Sequence, residues 1–401
     1  MRVVPLPVAP LNEQKRIVAK IEALQHRADA AKAALDAIPP LLEKFRQSVL
    51  AAAFRGDLTQ AWRAQNPDAE PATALLERIR AERRARWIEA AAEKARARAG
   101  AKATKAGKPW PDDANAQVLE RERAKAAKTY KAPEPVDTEG LPDLPAGWCW
   151  ARWEEVGLCQ NGRAFPSKHY CAEGTKLLRP GNLHVSGDVR WTDKNTRHMP
   201  DEWVVQYPSF VIGANELVMN LTAQSLKDEF LGRVCLTSDG ERCLLNQRIA
   251  RLTPIVLTPR FCLWLFKGQV FRRYVENGLN TGSLIQHMFT SQVYDFVFPL
   301  PPEEEHEQIV DAVEALLNFK RGVEDGVVEM DTRLPGLNQS ILAKAFRGEL
   351  VPQDPTDEPA SVLLERIRAE RAAAEAAKPK KTRRRRAPAK GHPSTVTEES
   401  E

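Results

Sequence analysis

Long cations stand beside amide and hydroxyl side chains in the turn-rich middle of the chain. Arg163, Lys168, Arg179, Lys194 and Arg197 supply positive charge there, with Asn182 among them. Asn220, Thr222, Gln224, Gln247, Arg248, Thr281 and Ser283 follow at strand ends and in loops. Arginine and lysine neutralise phosphates, and asparagine, glutamine, serine and threonine donate and accept hydrogen bonds in patterns that suit base edges. Each residue taken singly also fits a solvated surface. Net charge does not decide the matter, since residues 141 to 300 carry 17 Lys and Arg against 15 Asp and Glu. Any readout must therefore come from a local cluster.

Nothing in the sequence assembles a catalytic or metal centre. The six cysteines, Cys149, Cys159, Cys171, Cys235, Cys243 and Cys262, contain no C-x-x-C pair, which argues against a zinc ribbon. Cys159, His169 and Cys171 are better read as parts of a reduced, thiol-bearing core than as ligands, so neither a metal nor a disulfide is expected. GAKATKAGKPWPDD resembles a phosphate loop only superficially. Its glycines are misspaced, and Pro109 stands where a hydroxyl would hold magnesium. Glu303, Glu304 and Glu305 open a helix, where acids complement the macrodipole. The stretch from Lys378 to Lys390 holds eight Lys or Arg and no acid, and reads as a disordered tail that attracts phosphates without specificity or simply aids solubility.

The elements that position these groups are announced by a duplication. Phe54-Arg55-Gly56 recurs as Phe346-Arg347-Gly348 at a step of 292 residues, and Ile17-Val18 recurs as Ile309-Val310 at the same step. LLERIRAER appears at Leu75 and again at Leu363, a step of 288. A repeat at fixed spacing outranks local propensity as a guide to architecture. Within the first copy Ile17, Ile21, Leu24, Ala28, Ala31, Leu35, Ile38, Leu42, Phe45 and Val49 alternate at steps of four and three. The second copy gives Ile309, Val313, Leu316, Lys320, Val323, Val327, Met330, Leu334, Leu337 and Ile341. Both are heptad seams on amphipathic helices, each on the order of 60 Å long, and they pair most simply with each other in antiparallel fashion. Pro39-Pro40 and Pro335 predict kinks rather than ends. Lys320 is expected to snorkel out of its seam.

Between the seams, TALLERIRAERRARWIEAAAEKARARA predicts a helix broken at GAKATKAGKPWPDD, with a second helix from about 115 to 130. WCWARW, SFVIG, ELVMNLT, GRVCLT, IARLTPIV and YDFVFPL predict strands, and TPRFCLWLFKGQVFRRYVENG a helix with Pro259 in its first turn. The fold class is α+β, with one mixed domain carrying a curved sheet and two long helices forming an antiparallel coiled coil. A length of 401 residues with 43% hydrophobic and 28% charged residues, a net charge of +5 and no run of eighteen apolar residues suggests a soluble protein. MRVVPLPVAPLNEQ has prolines where an export signal needs a long apolar segment, so the expected location is cytoplasmic, with no membrane contact.

Together GLPDLPAGWCWARWEEVG, LLRPGNLHVSGDVRW, FPLPPEEEHEQIV and the AFRGEL and LLERIRAER repeats resemble the specificity subunit of type I restriction-modification enzymes over nearly the whole chain. The resemblance implies two long spacer helices paired as an antiparallel coiled coil, and target-recognition domains that each read half of a bipartite site in double-stranded DNA. It assigns residues 1–56 to the first spacer helix and 57–140 to a charged helical linker. It assigns 141–302 to a target-recognition domain, 303–350 to the second spacer helix, 351–377 to a short helix and 378–401 to the basic tail. The partners it implies are modification subunits docked on the helices and, through them, the restriction subunit. It implies that this chain is no enzyme and needs no cofactor, S-adenosylmethionine, ATP and magnesium being handled by the other subunits. The sequence departs from the family in carrying both helices but one recognition domain. A half-size subunit that forms a homodimer and a truncated or split product both fit that departure. A degenerate coiled-coil scaffold with only non-specific DNA binding is the alternative reading.

Overall fold

The computed structural model describes residues 6–108, 112–224, 229–278 and 286–376. Thr281, Ser283, Pro109 and the basic tail lie outside the described residues. Helix α1 spans Leu11–Arg55, α2 Gln60–Gln65, α3 Ala72–Lys105 and α4 Asp112–Thr129. Strand β1 (Cys149–Arg152), helix α5 (Trp153–Val156) and strands β2 (Gly157–Asn161), β3 (Thr175–Leu178) and β4 (His198–Met199) follow. Helix α6 (Glu202–Gln206) precedes β5 (Val211–Ile212), β6 (Leu217–Asn220), β7 (Thr222–Ala223), β8 (Val234–Leu236), β9 (Cys243–Leu245) and β10 (Ile249–Pro254). Then come α7 (Pro259–Lys267), α8 (Gln269–Gly278), β11 (Gln286–His287), α9 (Thr290–Tyr294), β12 (Val297–Leu300), α10 (Glu303–Phe346) and α11 (Ala360–Ala376). The fold is α+β. The chain divides into two compact units, one of residues 39–325, the other joining 1–38 to 326–401.

In the smaller unit the start of α1 runs antiparallel to the end of α10. Arg16 pairs with Asp357 at 2.7 Å and Lys32 with Asp331 at 2.9 Å, so rising numbers on one side meet falling numbers on the other. Leu24, Ala28, Ala31, Leu334, Leu337, Ile341 and Leu350 line a shallow apolar cavity of about 340 Å³ between them. Ile17, Ile21, Leu35, Ile38 and Val327 are half-buried. Met330 is not a seam residue here, being 58% exposed. On this half of α10 Val327, Leu334 and Ile341 are the more buried positions, Leu337 borders the cavity at 49% exposure, and Met330 is the most exposed. A straight helix drifts against a 3.5-residue repeat, and alanine-rich stretches of α1 offer no deep holes to hold both rows.

Helix α1 passes through Pro39 and Pro40 without ending. Both prolines are exposed, and each leaves one carbonyl of the preceding turn without an N–H. In the larger unit the end of α1 packs against the start of α10. Val49, Leu50, Ala53 and Phe54 share a core with Ile309, Val310 and Val313, and Leu316 packs at its edge. The direction is again antiparallel, for Thr59 and Arg63 reach Glu305. Lys320 snorkels as its stem predicts, its ammonium held by Glu324 at 2.5 Å one turn on.

Helices α3 and α4 form a hairpin joined by Trp87 on Tyr130, with ring centroids 5.4 Å apart, and by Arg123 on Glu89 at 2.7 Å. Helix α3 ends at Lys105, inside the stretch where the break is expected, having run on through Gly100. One glycine costs a helix about 1 kcal/mol, which its Ala, Lys and Arg neighbours offset. The mixed domain holds two four-stranded sheets, ordered β2-β10-β6-β8 and β4-β3-β9-β5, beside the pairs β1-β12 and β7-β11. All neighbours are antiparallel except β3 and β9. Strands β2, β3 and β9 were not legible in the sequence, their runs being short and interrupted by polar residues. Trp153, Phe261, Phe266, Phe271, Phe296 and Phe298 fill the core between sheet and helices. The single helix expected from 258 to 278 is two, α7 and α8. Gly268 is extended, and a Cβ there would meet the Leu265 carbonyl oxygen at 2.9 Å.

Candidate nucleic-acid interface

The two four-stranded sheets meet where β9 hands over to β10, and that turn is pinned from three sides. The Asn246 amide N–H donates to the Leu178 carbonyl at 3.2 Å, and the Gln247 N–H donates to the Arg163 carbonyl at 2.9 Å. Asn246 Oδ1 accepts from the Arg248 N–H at 3.1 Å. Arg248 is thereby projected from a fixed backbone at the edge formed by the end of β6 and the start of β8. The loop after β3 is tied just as firmly. Asn195 donates to the carbonyls of Gly181 and Arg190 at 3.0 and 3.1 Å and accepts from the Thr192 N–H at 2.7 Å. This holds Arg179, Lys194 and Arg197 on one rim.

The result is a cleft of about 890 Å³ lined by Arg179, Lys194, Asn195, Arg197, Thr222, Gln224, Phe230, Arg233, Arg248 and His287, with Pro180, Gly181 and Ala223. Five of these are cations, and no carboxylate lines the cleft among the described residues. Like charges gathered on a concave wall focus a positive potential and call for an anion. Arg197 is steadied by the Thr196 carbonyl at 2.6 Å, and the Arg233 guanidinium lies 4.9 Å over the Phe230 ring. Thr222 Oγ1 meets His287 Nδ1 at 3.2 Å on the floor. The wall thus combines guanidinium forks, one ammonium, a hydroxyl and the Gln224 amide: phosphate-binding groups next to groups that read base edges.

The cleft brings together six of the sequence candidates, Arg179, Lys194, Arg197, Thr222, Gln224 and Arg248. Arg163, Lys168 and Gln247 are exposed but do not line it, and Arg163 lies over the Tyr207 ring at 4.0 Å. Asn182 and Asn220 are corrected as readers. Asn182 is buried, its Oδ1 accepting from the Arg179 N–H at 2.9 Å. Asn220 is buried too, its amide donating to the carbonyls of Thr222 and Phe230 at 2.9 and 2.8 Å. Their hydrogen-bonding capacity is spent on shaping the rim. Sequence reasoning missed Arg233 and His287. Arg233 opens a strand beside the end of β6, a position that strand register alone would have found.

The domain is fastened to its helices through Glu305, which is fully buried. Its carboxylate accepts from Trp148 Nε1 at 2.8 Å, Thr59 Oγ1 at 2.5 Å and Arg63 Nη1 at 2.5 Å. One residue on, His306 Nε2–H donates to the Pro301 carbonyl at 3.0 Å, and the ring stacks on Phe261, centroids 4.4 Å apart. Burial pushes the His306 imidazole down to about 4, so it is neutral and its Nε2–H is the donor to that carbonyl.

The chain presents a cation-lined cleft in an α+β domain packed on paired helices, and comparison with known proteins shows what it is similar to. No protein-family profile matches the chain. In sequence and fold it resembles specificity subunits of type I restriction enzymes. It is 25% identical over 358 residues to the EcoAI specificity subunit of Escherichia coli, covering 78% of this chain and 53% of that protein. It is 26% identical over 380 residues to the EcoBI specificity subunit of the same species, covering 92% and 65%. A chain from a structure of the type I restriction-modification system, solved for complex assembly and conformational transition, superposes with a TM-score of 0.51 at 20% identity. That match covers 86% of this chain and 61% of the other, and bears on the fold alone. The chain therefore spans between about half and two thirds of the length of these relatives. No helix among the described residues is long and apolar enough to cross a membrane.

Proposed function

We propose that this chain is a DNA-recognition subunit of a type I restriction-modification complex, in which residues 141–302 read one half of a bipartite site. The observation that carries the reading is the cleft with five cations and no carboxylate among the described lining residues, in a chain similar to specificity subunits. Phosphate contacts from Lys194 and Arg197 supply most of the affinity, and the forks of Arg179 and Arg248, with Gln224 and Thr222, discriminate bases. The chain is non-catalytic and supplies the address. Among the described residues no group of three or more His, Cys, Asp and Glu is placed to hold a metal. Modification subunits dock on the paired helices, where Leu41 and Phe319 hold large apolar side chains in solvent, and bring the restriction subunit with them. The protein acts in the cytoplasm, where such a complex meets DNA.

Selection from a pool of random duplexes by the full chain, alone and with a modification subunit, tests the reading. Enrichment of one short sequence supports it, and binding without enrichment at any salt concentration sinks it. The rival reading, a scaffold that touches DNA only through Lys378 to Lys390, requires that deleting residues 378–401 abolish all binding.

A further inference from the structure

A second cavity lies apart from the cleft, where the last turns of α1 meet α7 and α8. It measures about 180 Å³, and its charged lining is Arg46, Glu229, Lys267, Arg272, Arg273 and Glu276. Cations outnumber acids there, and one of the acids is committed elsewhere. Glu229 accepts from Arg46 at 2.7 Å, and Arg46 is held on its other side by Glu43 at 2.6 Å. Glu229 does so from a left-handed backbone, φ 51°, which a residue with a Cβ rarely adopts. Glu276 is exposed and makes no ion pair among the described residues.

That leaves Lys267, Arg272 and Arg273 without an ion pair among the described residues. Lys267 Nζ spends one donor on the Val185 carbonyl at 2.5 Å, and Arg272 spends Nη2 on the Leu231 carbonyl at 2.7 Å. Arg272 Nε is buried and has no acceptor among the described residues. A buried donor without an acceptor is costly, so it marks a place where an acceptor is expected. Burial, with the Arg46 charge next, pushes the Lys267 ammonium down to about 8, and burial draws the Arg272 guanidinium below its ordinary value. Both groups still carry their protons at neutral pH. Positive charge is thus gathered in a half-buried place without the counter-charge that would offset its loss of water.

We propose that Lys267, Arg272 and Arg273 seat a phosphate group. The occupant has to accept from an ammonium and two guanidinium forks at once. A phosphate does so with oxygens in a tetrahedral array, whereas a carboxylate has two in one plane. At about 180 Å³ the cavity is smaller than the roughly 300–1,000 Å³ that encloses a whole organic ligand, so the phosphate alone fits, free or still bonded to a chain outside. A chain is at hand in the second case. Arg233 lines the cleft and also lines, with Lys267 and Arg272, a narrow gap beside it, so cationic surface runs from the cleft to the end of α1. Because Arg46 of α1 lines the same cavity, the phosphate sits between the domain and the helix that carries it. The seat stands apart from the cleft and does not depend on base reading.

Calorimetric titration of the full chain with inorganic phosphate, at an ionic strength held constant with chloride, tests the seat. A saturable site is expected. Arg273 is exposed, so R273Q leaves the fold alone, and it should weaken that site roughly tenfold or more, with R273K restoring part of the loss. R179A/R248A, which strips the cleft, should leave the site unchanged. Absence of saturable binding, full binding in R273Q, or loss of the site in R179A/R248A overturns the proposal. Duplex DNA then assigns the source. If the seat takes a backbone phosphate, R273Q lowers the slope of log affinity against log salt by about 0.9 on selected and scrambled duplexes alike. If it takes the free anion, that slope is unchanged; either result keeps the seat and names what fills it.

Discussion

The two copies of the repeat use the same local devices and differ in what they bury. Each helix ends in a left-handed glycine, Gly56 at φ 80° and Gly348 at φ 71°. Each end is clasped by an arginine on an acid two residues on, Arg55 on Asp57 at 2.6 Å and Arg347 on Glu349 at 2.9 Å. Each downstream helix repeats an arginine-to-glutamate pair at 2.6 Å, Arg78 on Glu70 and Arg366 on Glu358. The apolar face enters the large core at the end of the first copy, at Val49, Leu50, Ala53 and Phe54, and at the start of the second, at Ile309, Val310 and Val313, while the matching positions Val18 and Phe346 stay exposed. Sequence therefore sets the shape of the segment, and the neighbour sets its energetic weight.

The largest expected effect is a sharp asymmetry in stability. Phe54→Ala removes a ring from a closed core and should cost about 3–5 kcal/mol, whereas Phe346→Ala should cost less than about 0.5 kcal/mol. Urea midpoints of the two variants measure this, and equal losses would erase the contrast between the copies.

The next effect depends on pH. His306 is held at about 4 by burial, below the roughly 6.5 of an exposed imidazole. Between those values the unfolded chain binds the extra proton, so stability rises with pH across the window, is complete above about 6.5 and is lost progressively toward pH 4. The full swing is on the order of 3 kcal/mol. Gln14 stands at the same place in the other copy and makes the same bond, so His306→Gln should flatten the dependence while leaving stability at pH 8 within about 1 kcal/mol. An unaltered pH profile in that variant would assign the acid sensitivity elsewhere.

A smaller difference lies at the caps. Alanine at Gly56 meets both a positive φ and the Pro145 Cγ at 2.7 Å, and alanine at Gly348 meets the positive φ with the flexible Gln353 amide at 3.2 Å. Gly348→Ala should cost about 1 kcal/mol and Gly56→Ala more, by thermal unfolding. The reverse order would mean that the first cap has room to move.

Much of this was legible in the sequence because periodicity and repetition are written in residue order. The step of 292 residues located the helices, and the heptads gave their pairing partners; Met330 escaped because one row, Val327, Leu334 and Ile341, is the more buried late in α10 and the other is half open to solvent. The candidate cleft was legible in part. Arg248, Arg179 and Lys194 are polar residues in turns, which pattern alone identifies. Asn182 and Asn220 have the same composition signal, but their amides face backbone, and no single sequence separates an amide that shapes a rim from one that reads a base. Arg233 was passed over because it stands at the entrance of β8, in a run read only as a strand.

The central claim is that the cleft, not the basic tail, binds DNA with sequence preference. The direct measurement is the slope of log affinity against log salt for the full chain, R179A/R248A and a chain lacking 378–401, on a selected duplex and a scrambled one. Each lost phosphate contact should reduce the slope by about 0.9. The account predicts that R179A/R248A loses the preference for the selected duplex while the tail deletion weakens both duplexes alike. Preference surviving in R179A/R248A and vanishing with the tail would contradict it.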